Sequence, residues 1–237
     1  MEATYNPGST VSPNTKPDYC NEKVVQRNRL PARSYYIPEN SLLLNGKWDF
    51  HYAQTPLHAP EPRQRGDVLA GSRSSIVLEA GGAGETDEAS WLWSQIPVPG
   101  HWQLHGFGSP QYTNVPYPFP VCPPYVPSEN PTGTYRRKFS IPRTWGEQPH
   151  VRLRFDGVDS AFHLWINGVE VGYSQGSRNP AEFDITALVR RDGENELFVR
   201  VYQWCDGSYI EDQDQWWLSG EWTAVSMPQL PRGLFLI

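Results

Sequence analysis

Cysteine is scarce in this chain: Cys20, Cys122 and Cys205 are odd in number, far apart and without metal-ligand spacing. That argues against a disulfide framework or a thiolate zinc site and predicts three reduced thiols. No apolar run approaches membrane-spanning length, and the opening MEATYNPGSTVSPNTK lacks the apolar centre of a secretory signal. Nor is there a Lys/Arg cluster. With 26 acidic against 20 basic residues, a net charge of −6, the chain offers no counterion-releasing surface, so neither nucleic acid nor an anionic membrane is an expected partner. A soluble, cytoplasmic protein is expected. Long helices lack room, because 23 prolines and 20 glycines punctuate the sequence, whereas 10 tryptophans, 12 tyrosines and 9 phenylalanines suit half-buried strands. The fold class predicted is all-β.

At 237 residues the chain can bury a working core as one large β domain or two smaller ones. Residues 1–40 read as a polar N-terminal arm that lies over another surface or stays mobile. Residues 41–227 read as the main domain, interrupted at 56–89 by GSRSS and GGAGETDE, small and charged residues that cannot build a core and predict a disordered insertion. Residues 228–237 form an aberrant tail, apolar at LFLI.

Several strands can be placed by period. In residues 42–52, LLLNGKWDFHY, Asn45-Gly46 signals a turn and Trp48, Phe50 and Tyr52 alternate onto one face. YRRKFSI (135–141) and VRLRF (151–155) alternate apolar and basic residues, which predicts one buried and one wet face for each. AFHLWINGVEVGY (161–173) holds two alternating runs around Asn167-Gly168, a strong hairpin signal, and ELFVRVYQW (196–204) is a further long strand after the turn Asp192-Gly193. Short strands with turn chemistry between them describe a β-sandwich, of jelly-roll type. There is no internal repeat.

The segment DGSYIEDQDQWW (206–217) carries the most chemistry. Asp206, Glu211, Asp212 and Asp214 lie within nine residues, beside Trp204, Tyr209, Trp216 and Trp217. Carboxylates accept hydrogen bonds from sugar hydroxyls and bind hard cations, while flat aromatic faces cover the apolar side of a pyranose ring. A carbohydrate site is the natural reading. Crowded acids of this kind repel one another unless a cation or donors intervene. Other residues have plainer roles: His101, His105 and His163 lack zinc spacing, Ser160 and Ser177 lack a nucleophile-elbow context, and Trp91, Trp93, Trp102, Trp165 and Trp204 read as core or interface.

Five separated motifs then stand in one order: VPGHWQLHG (98–106), YTNVPYP (112–118), PPYVPSENPTG (123–133), FDGVDSAFHLW (155–165) and DGSYIEDQD (206–214). Together they resemble the N-terminal sugar-binding domain of glycoside hydrolase family 2 β-galactosidases, over roughly residues 17–55 and 91–220. The resemblance implies a jelly-roll domain of an enzyme that hydrolyses terminal non-reducing β-galactosides such as lactose in carbohydrate metabolism. It implies that Asn114 and Asp214 reach the galactose, Asp214 also serving a sodium ion. It implies a magnesium site from Asp18, Asn21, the Val24 carbonyl, Gln175 and Asp206. From the residues alone, the alternatives are that Asn114 is a turn residue before prolines, Asp214 a solvated acid, and Asp18 and Asn21 turn formers.

Catalytic residues are missing. A retaining glycosidase needs two carboxyl groups about 5–5.5 Å apart, and in the resembling family both belong to a (β/α)₈ barrel of about 250 residues that this chain cannot hold. The chain alone is expected to be inactive, binding galactoside weakly or not at all. Homo-oligomerisation or docking onto a catalytic barrel is what the resemblance implies; a free-standing carbohydrate-binding module or an assembly fragment remain alternatives. After Gly220 the likeness breaks off, and the expectation is a larger enzyme truncated by a reading-frame change, an unspliced segment or a premature stop, with residues 222–227 as a substitute strand.

Overall fold

The computed structural model describes residues 16–33, 40–63, 93–114, 116–145, 150–211, 214–221 and 225–230. Expectations for residues 1–15, the insertion from 64 to 89, Trp91, Asp212 and the tail from 231 onward lie outside the described residues.

Among the described residues sixteen strands follow in chain order: β1 (Gln26–Arg27), β2 (Ser41–Leu43), β3 (Gly46–Ala53), β4 (Ser94–Val98), β5 (Gly100–His101), β6 (Gln111–Thr113), β7 (Thr132–Ser140), β8 (His150–Phe155), β9 (Val158–Asp159), β10 (Ala161–Ile166), β11 (Val169–Gln175), β12 (Ala181–Asp184), β13 (Glu194–Tyr202), β14 (Gln215–Trp217), β15 (Gly220–Glu221) and β16 (Val225–Leu230). One seven-stranded sheet has the order β1-β11-β10-β13-β7-β3-β4, and a four-stranded sheet has the order β12-β8-β16-β2. All pairings are antiparallel. The result is an all-β sandwich of jelly-roll type.

Period-2 alternation sets the two layers against each other. Trp48 and Phe50 of β3, Leu164 of β10 and Val199 of β13 point inward from the larger sheet, and Leu153, Phe155 and Phe183 from the smaller, all at 2 % exposure or less. The layers meet in ring contacts such as Phe155 against Phe162, centroids 4.8 Å apart. The Asn167-Gly168 hairpin joins β10 and β11 with both turn residues at positive φ, 52° and 75°, as a two-residue turn of this twist requires. The Asn167 amide is also tied in: it donates to Leu188 O and Asn195 Oδ1, each at 2.9 Å, and its oxygen accepts from Glu196 N. Asn45-Gly46, by contrast, carries the chain from one sheet to the other, since β2 and β3 lie in different sheets.

Three expectations need correction. The face of β8 opposite the core is not wet along its length: Arg154 is 2 % exposed, because Glu182 of β12 pairs with it at 2.7 Å and Asp156 at 2.5 Å. The insertion expected to be disordered from residue 56 begins as ordered chain, a 3-10 turn at Pro56–His58 followed by Pro60 and Glu61, which both accept from the buried Arg200 guanidinium. The sandwich does not end at 227 either, because β16 runs from Val225 to Leu230 between β8 and β2. The arm, where described, lies on the sandwich: β1 extends the large sheet beside β11, and Leu30 N donates to Glu182 O.

Candidate functional site

Three-residue strands build the site. β6 and β14 pair Thr113 with Gln215, Tyr112 with Trp216 and Gln111 with Trp217. One step further along this register stand Asn114 and Asp214, both exposed, so the ribbon brings the two expected sugar-binding residues to the same end. Tyr112, 102 residues from Asp214 in sequence, donates its hydroxyl to Asp214 Oδ1 and so fixes the plane of the carboxylate. That bond also holds the Tyr112 phenol above its ordinary pKa. Trp217 donates Nε1 to Thr113 Oγ1 at 2.8 Å, while Trp216 keeps 57 % of its surface exposed, its ring 5.6 Å from that of Tyr112. A flat aromatic surface, a carboxylate and an amide thus share one rim, the combination a pyranose ring matches.

The acids of the 206–214 segment do not act as one cluster. A 3-10 turn at Asp206–Tyr209 directs Asp206 to the arm side of the sheet, where the Gln175 amide and the backbone N–H of Gly207 face it. Glu211 turns instead to Ser177, accepting from its hydroxyl at 2.6 Å and from its backbone N–H at 3.2 Å. Asp214 faces Tyr112. Each described acid is met by its own donors, which removes the mutual repulsion the sequence suggests without a shared cation.

Beside the ribbon, Asp159, Ser177, Arg178, Glu211, Gln215 and Trp216 line a hollow. Burial pushes the Asp159 carboxyl up to about 6, against the pull of Ser177 and Arg178, the latter 3.7 Å away, and with repulsion from Glu211. Ionising Asp159 is therefore disfavoured in the fold. The cost is absent below its ordinary value near 3.8, develops as pH rises, and is complete above about 6. Asp159→Asn is expected to stabilise the chain at pH 7.5 by on the order of 1–3 kcal/mol and to do nothing at pH 3.5. Urea unfolding at both values measures this; destabilisation at pH 7.5 would contradict it.

On the arm side, Gln175 of the expected metal set meets Asp206, and Asp18 and Asp206 both act on Tyr173 between them. Asp18 opens a 3-10 turn capped by Asn21, whose carbonyl accepts from Val24 N at 2.8 Å. Gln175 N donates to Val25 O at 3.3 Å, the Gln175 side-chain oxygen accepts from Tyr173 at 2.7 Å, and its amide donates to Asp206. Tyr173 feels the charges of both Asp18 and Asp206. Among the described residues no three His, Cys, Asp or Glu side chains form a metal-holding group, so amide and main-chain oxygens would have to complete a sphere. Carboxylate, amide and carbonyl oxygens are the ligands a hard divalent ion takes. Burial pushes Asp206 up with amides as its partners, a carboxylate that a cation would suit. Asp18 differs: burial opposes its ionisation, yet hydrogen bonds from His163 and Arg27 hold it down at about 2.

The description "glycosyl hydrolases family 2, sugar binding domain" matches residues 42–231. The chain belongs to this family. It is 46 % identical to a β-galactosidase of Alteromonas mediterranea over 91 % of this chain and 20 % of that protein. With a β-galactosidase of Kluyveromyces lactis it shares 43 % identity over 90 % of this chain and 19 % of the relative. The chain thus spans about a fifth of the length of these relatives. A Bacteroides uniformis β-glucuronidase structure shares the fold with a TM-score of 0.52 at 21 % identity, covering 81 % of this chain and 18 % of that one. The family match continues to residue 231, so the likeness does not break off at Gly220 as the motifs suggest; β15 and β16 carry it on.

Among the remaining expectations, Cys20, Cys122 and Cys205 are free thiols, and burial pushes Cys20 to about 11 and Cys205 to about 12, which keeps both protonated and unreactive at neutral pH. His163 binds Tyr202 and Asp18. Trp102 and Trp204 are buried in the domain. Ser177 serves Glu211. The sequence reading misses Tyr112 and Asp159. Tyr112 sits in the YTN motif, but its pairing with the second half of the chain has no local signal. Among the described residues no helix is long and apolar enough to cross a membrane.

Proposed function

We propose that this chain supplies one wall of a galactoside pocket in a β-galactosidase, contributing sugar binding rather than bond cleavage. The observation that carries the reading is the β6–β14 register, which sets Asn114 and Asp214 on one rim beside the exposed Trp216 ring. Asp214 accepts a hydrogen bond from a sugar hydroxyl, while its other oxygen is engaged by Tyr112; Asn114 both donates and accepts; Trp216 covers the apolar ring face. Cleavage of terminal β-galactosides belongs, on this reading, to the larger part of the relatives' length. An exposed single wall leaves most of a sugar in water, so affinity is weak, on the order of millimolar or poorer. Titrating galactose into the labelled chain is expected to shift the indole N–H resonances of Trp216 and Trp217, and Asp214→Ala is expected to abolish the shifts. Unperturbed indoles in the unsubstituted chain would sink the reading.

A second reading, docking onto a separate barrel-bearing chain, is favoured by the exposure of Trp216 at 57 % on the rim and of Ile210 at 87 % after the Asp206–Tyr209 turn. Of the two ions the resemblance implies, magnesium is supported by Gln175 meeting Asp206 with Asp18 nearby, and Asn21 and the Val24 carbonyl are the further ligands the resemblance adds. For sodium they offer the Asp214 carboxylate, one oxygen of which Tyr112 engages, and one acid is not a coordination shell. A cytoplasmic setting is supported by the unpaired thiols.

A further inference from the structure

The two carboxylates of the arm-side cluster are not equivalent, and the difference lies in Arg27. Its guanidinium grips Asp18 with two bonds, Nε to Oδ2 at 2.5 Å and Nη2 to Oδ1 at 2.8 Å, while His163 Nε2 stands 3.2 Å from Oδ2. Both Asp18 oxygens are therefore engaged by nitrogen donors. Asp206 faces amides instead. Arg27 also belongs to β1, where its backbone pairs with Tyr173, so the grip closes the chain from Asp18 to Arg27 against the sheet edge that carries Gln175.

We propose that Arg27 is an internal cation for Asp18, standing in for a divalent ion and holding the arm on the sandwich when none is bound. The proposal rests on the divalent site proposed above. Its chemistry follows from geometry and exposure. A planar guanidinium satisfies a carboxylate in two parallel bonds, as a point charge does not. Magnesium demands near-octahedral oxygen ligands and cannot share both Asp18 oxygens with that fork, so entry of the ion requires Arg27 to leave. Leaving is easy, because the Arg27 side chain is 51 % exposed whereas Asp18 is 11 % exposed. The arginine can swing into water without stranding a buried charge; the aspartate stays in place for whichever cation replaces it.

The test uses the full chain and its Arg27→Ala and Arg27→Lys variants, with hydrogen exchange of residues 18–30 read in chelator and in excess magnesium, and magnesium titrated calorimetrically. The unsubstituted chain is expected to protect these amides equally in both conditions. Arg27→Ala is expected to lose protection in chelator, regain it in magnesium, and bind magnesium about fivefold more tightly, the size of a half-exposed ion pair removed from competition. Arg27→Lys, which keeps the charge without the fork, falls between. Full protection of Arg27→Ala in chelator overturns the proposal whatever magnesium does. Lost protection that magnesium fails to restore, with no binding heat in any of the three, overturns the divalent site instead and leaves Arg27 as the clamp of the arm. Unchanged thermal unfolding of the sandwich in both variants separates either outcome from misfolding.

Discussion

Replacing Glu182 with alanine is expected to destabilise the chain by about 3–5 kcal/mol, the cost of removing one partner from a buried ion group. Glu182 is 5 % exposed and accepts from Arg154 at 2.7 Å and from Arg33 Nε at 2.9 Å, and Arg152 stands 3.6 Å away. Burial works against its ionisation, but the hydrogen bonds of Arg33 and Arg154 win and hold its pKa below the ordinary value. Without it, Arg154 at 2 % exposure keeps only Asp156 of its two carboxylate partners. For a domain of this size the loss corresponds to a fall in Tm of roughly 6–20 °C. Replacing both members, Glu182→Leu with Arg154→Met, is expected to cost less than Glu182→Ala alone, because the most deeply buried charge leaves with its partner, although Arg33 and Asp156, 10 % and 13 % exposed, each lose one contact. A double variant no more stable than the single one would show that the network stabilises by more than mutual neutralisation.

Gly133→Ala is the second large effect, and it links the core to the proposed sugar rim. A β-carbon there would lie 2.5 Å from Trp102 Cζ3 and 2.8 Å from Phe50 Cε2, and both rings are at 0 % exposure with no free end to swing away. Overpacking of this kind typically costs about 1–3 kcal/mol, and two immobile rings place it at the top of that range. Movement of the Trp102 backbone would be passed on, since its main-chain N–H donates to Ser219 O at 3.2 Å and Ser219 N donates to the Gln103 side chain at 2.9 Å. Those bonds lie two residues beyond Trp217. The substitution is expected to lower Tm and to weaken galactose-induced shifts of the Trp216 and Trp217 indoles together. Gly193→Ala is the control: its contact at 2.9 Å is with the flexible end of Arg190, and its effect is expected to be small.

What could be read from the sequence was what short-range chemistry encodes. The β10–β11 hairpin follows from Asn167-Gly168, and β3, β8 and β13 follow from strict alternation. The Asn114 and Asp214 positions followed from motif resemblance. What joins them did not, because β6 and β14 are three residues each, too short for a period to show, and their pairing spans half the chain. The acidic segment misled for a related reason: a 3-10 turn rotates successive carboxylates to different sides, and no periodicity announces it. The burial of Arg154 was equally hidden, since an alternating basic position reads as wet until Glu182 from another strand and Asp156 meet it.

The borders of the large sheet bear on how copies of this molecule treat one another. On one side β1 is two exposed residues, Gln26 and Arg27, a stub too short and too charged to template a neighbour. On the other, β4 carries Pro97, which has no N–H to offer an incoming chain. At these described borders the large sheet offers no ready template for cross-molecular stacking, and the arm, which the sequence reads as lying over another surface or mobile, acts as one of its two guards against polymer growth.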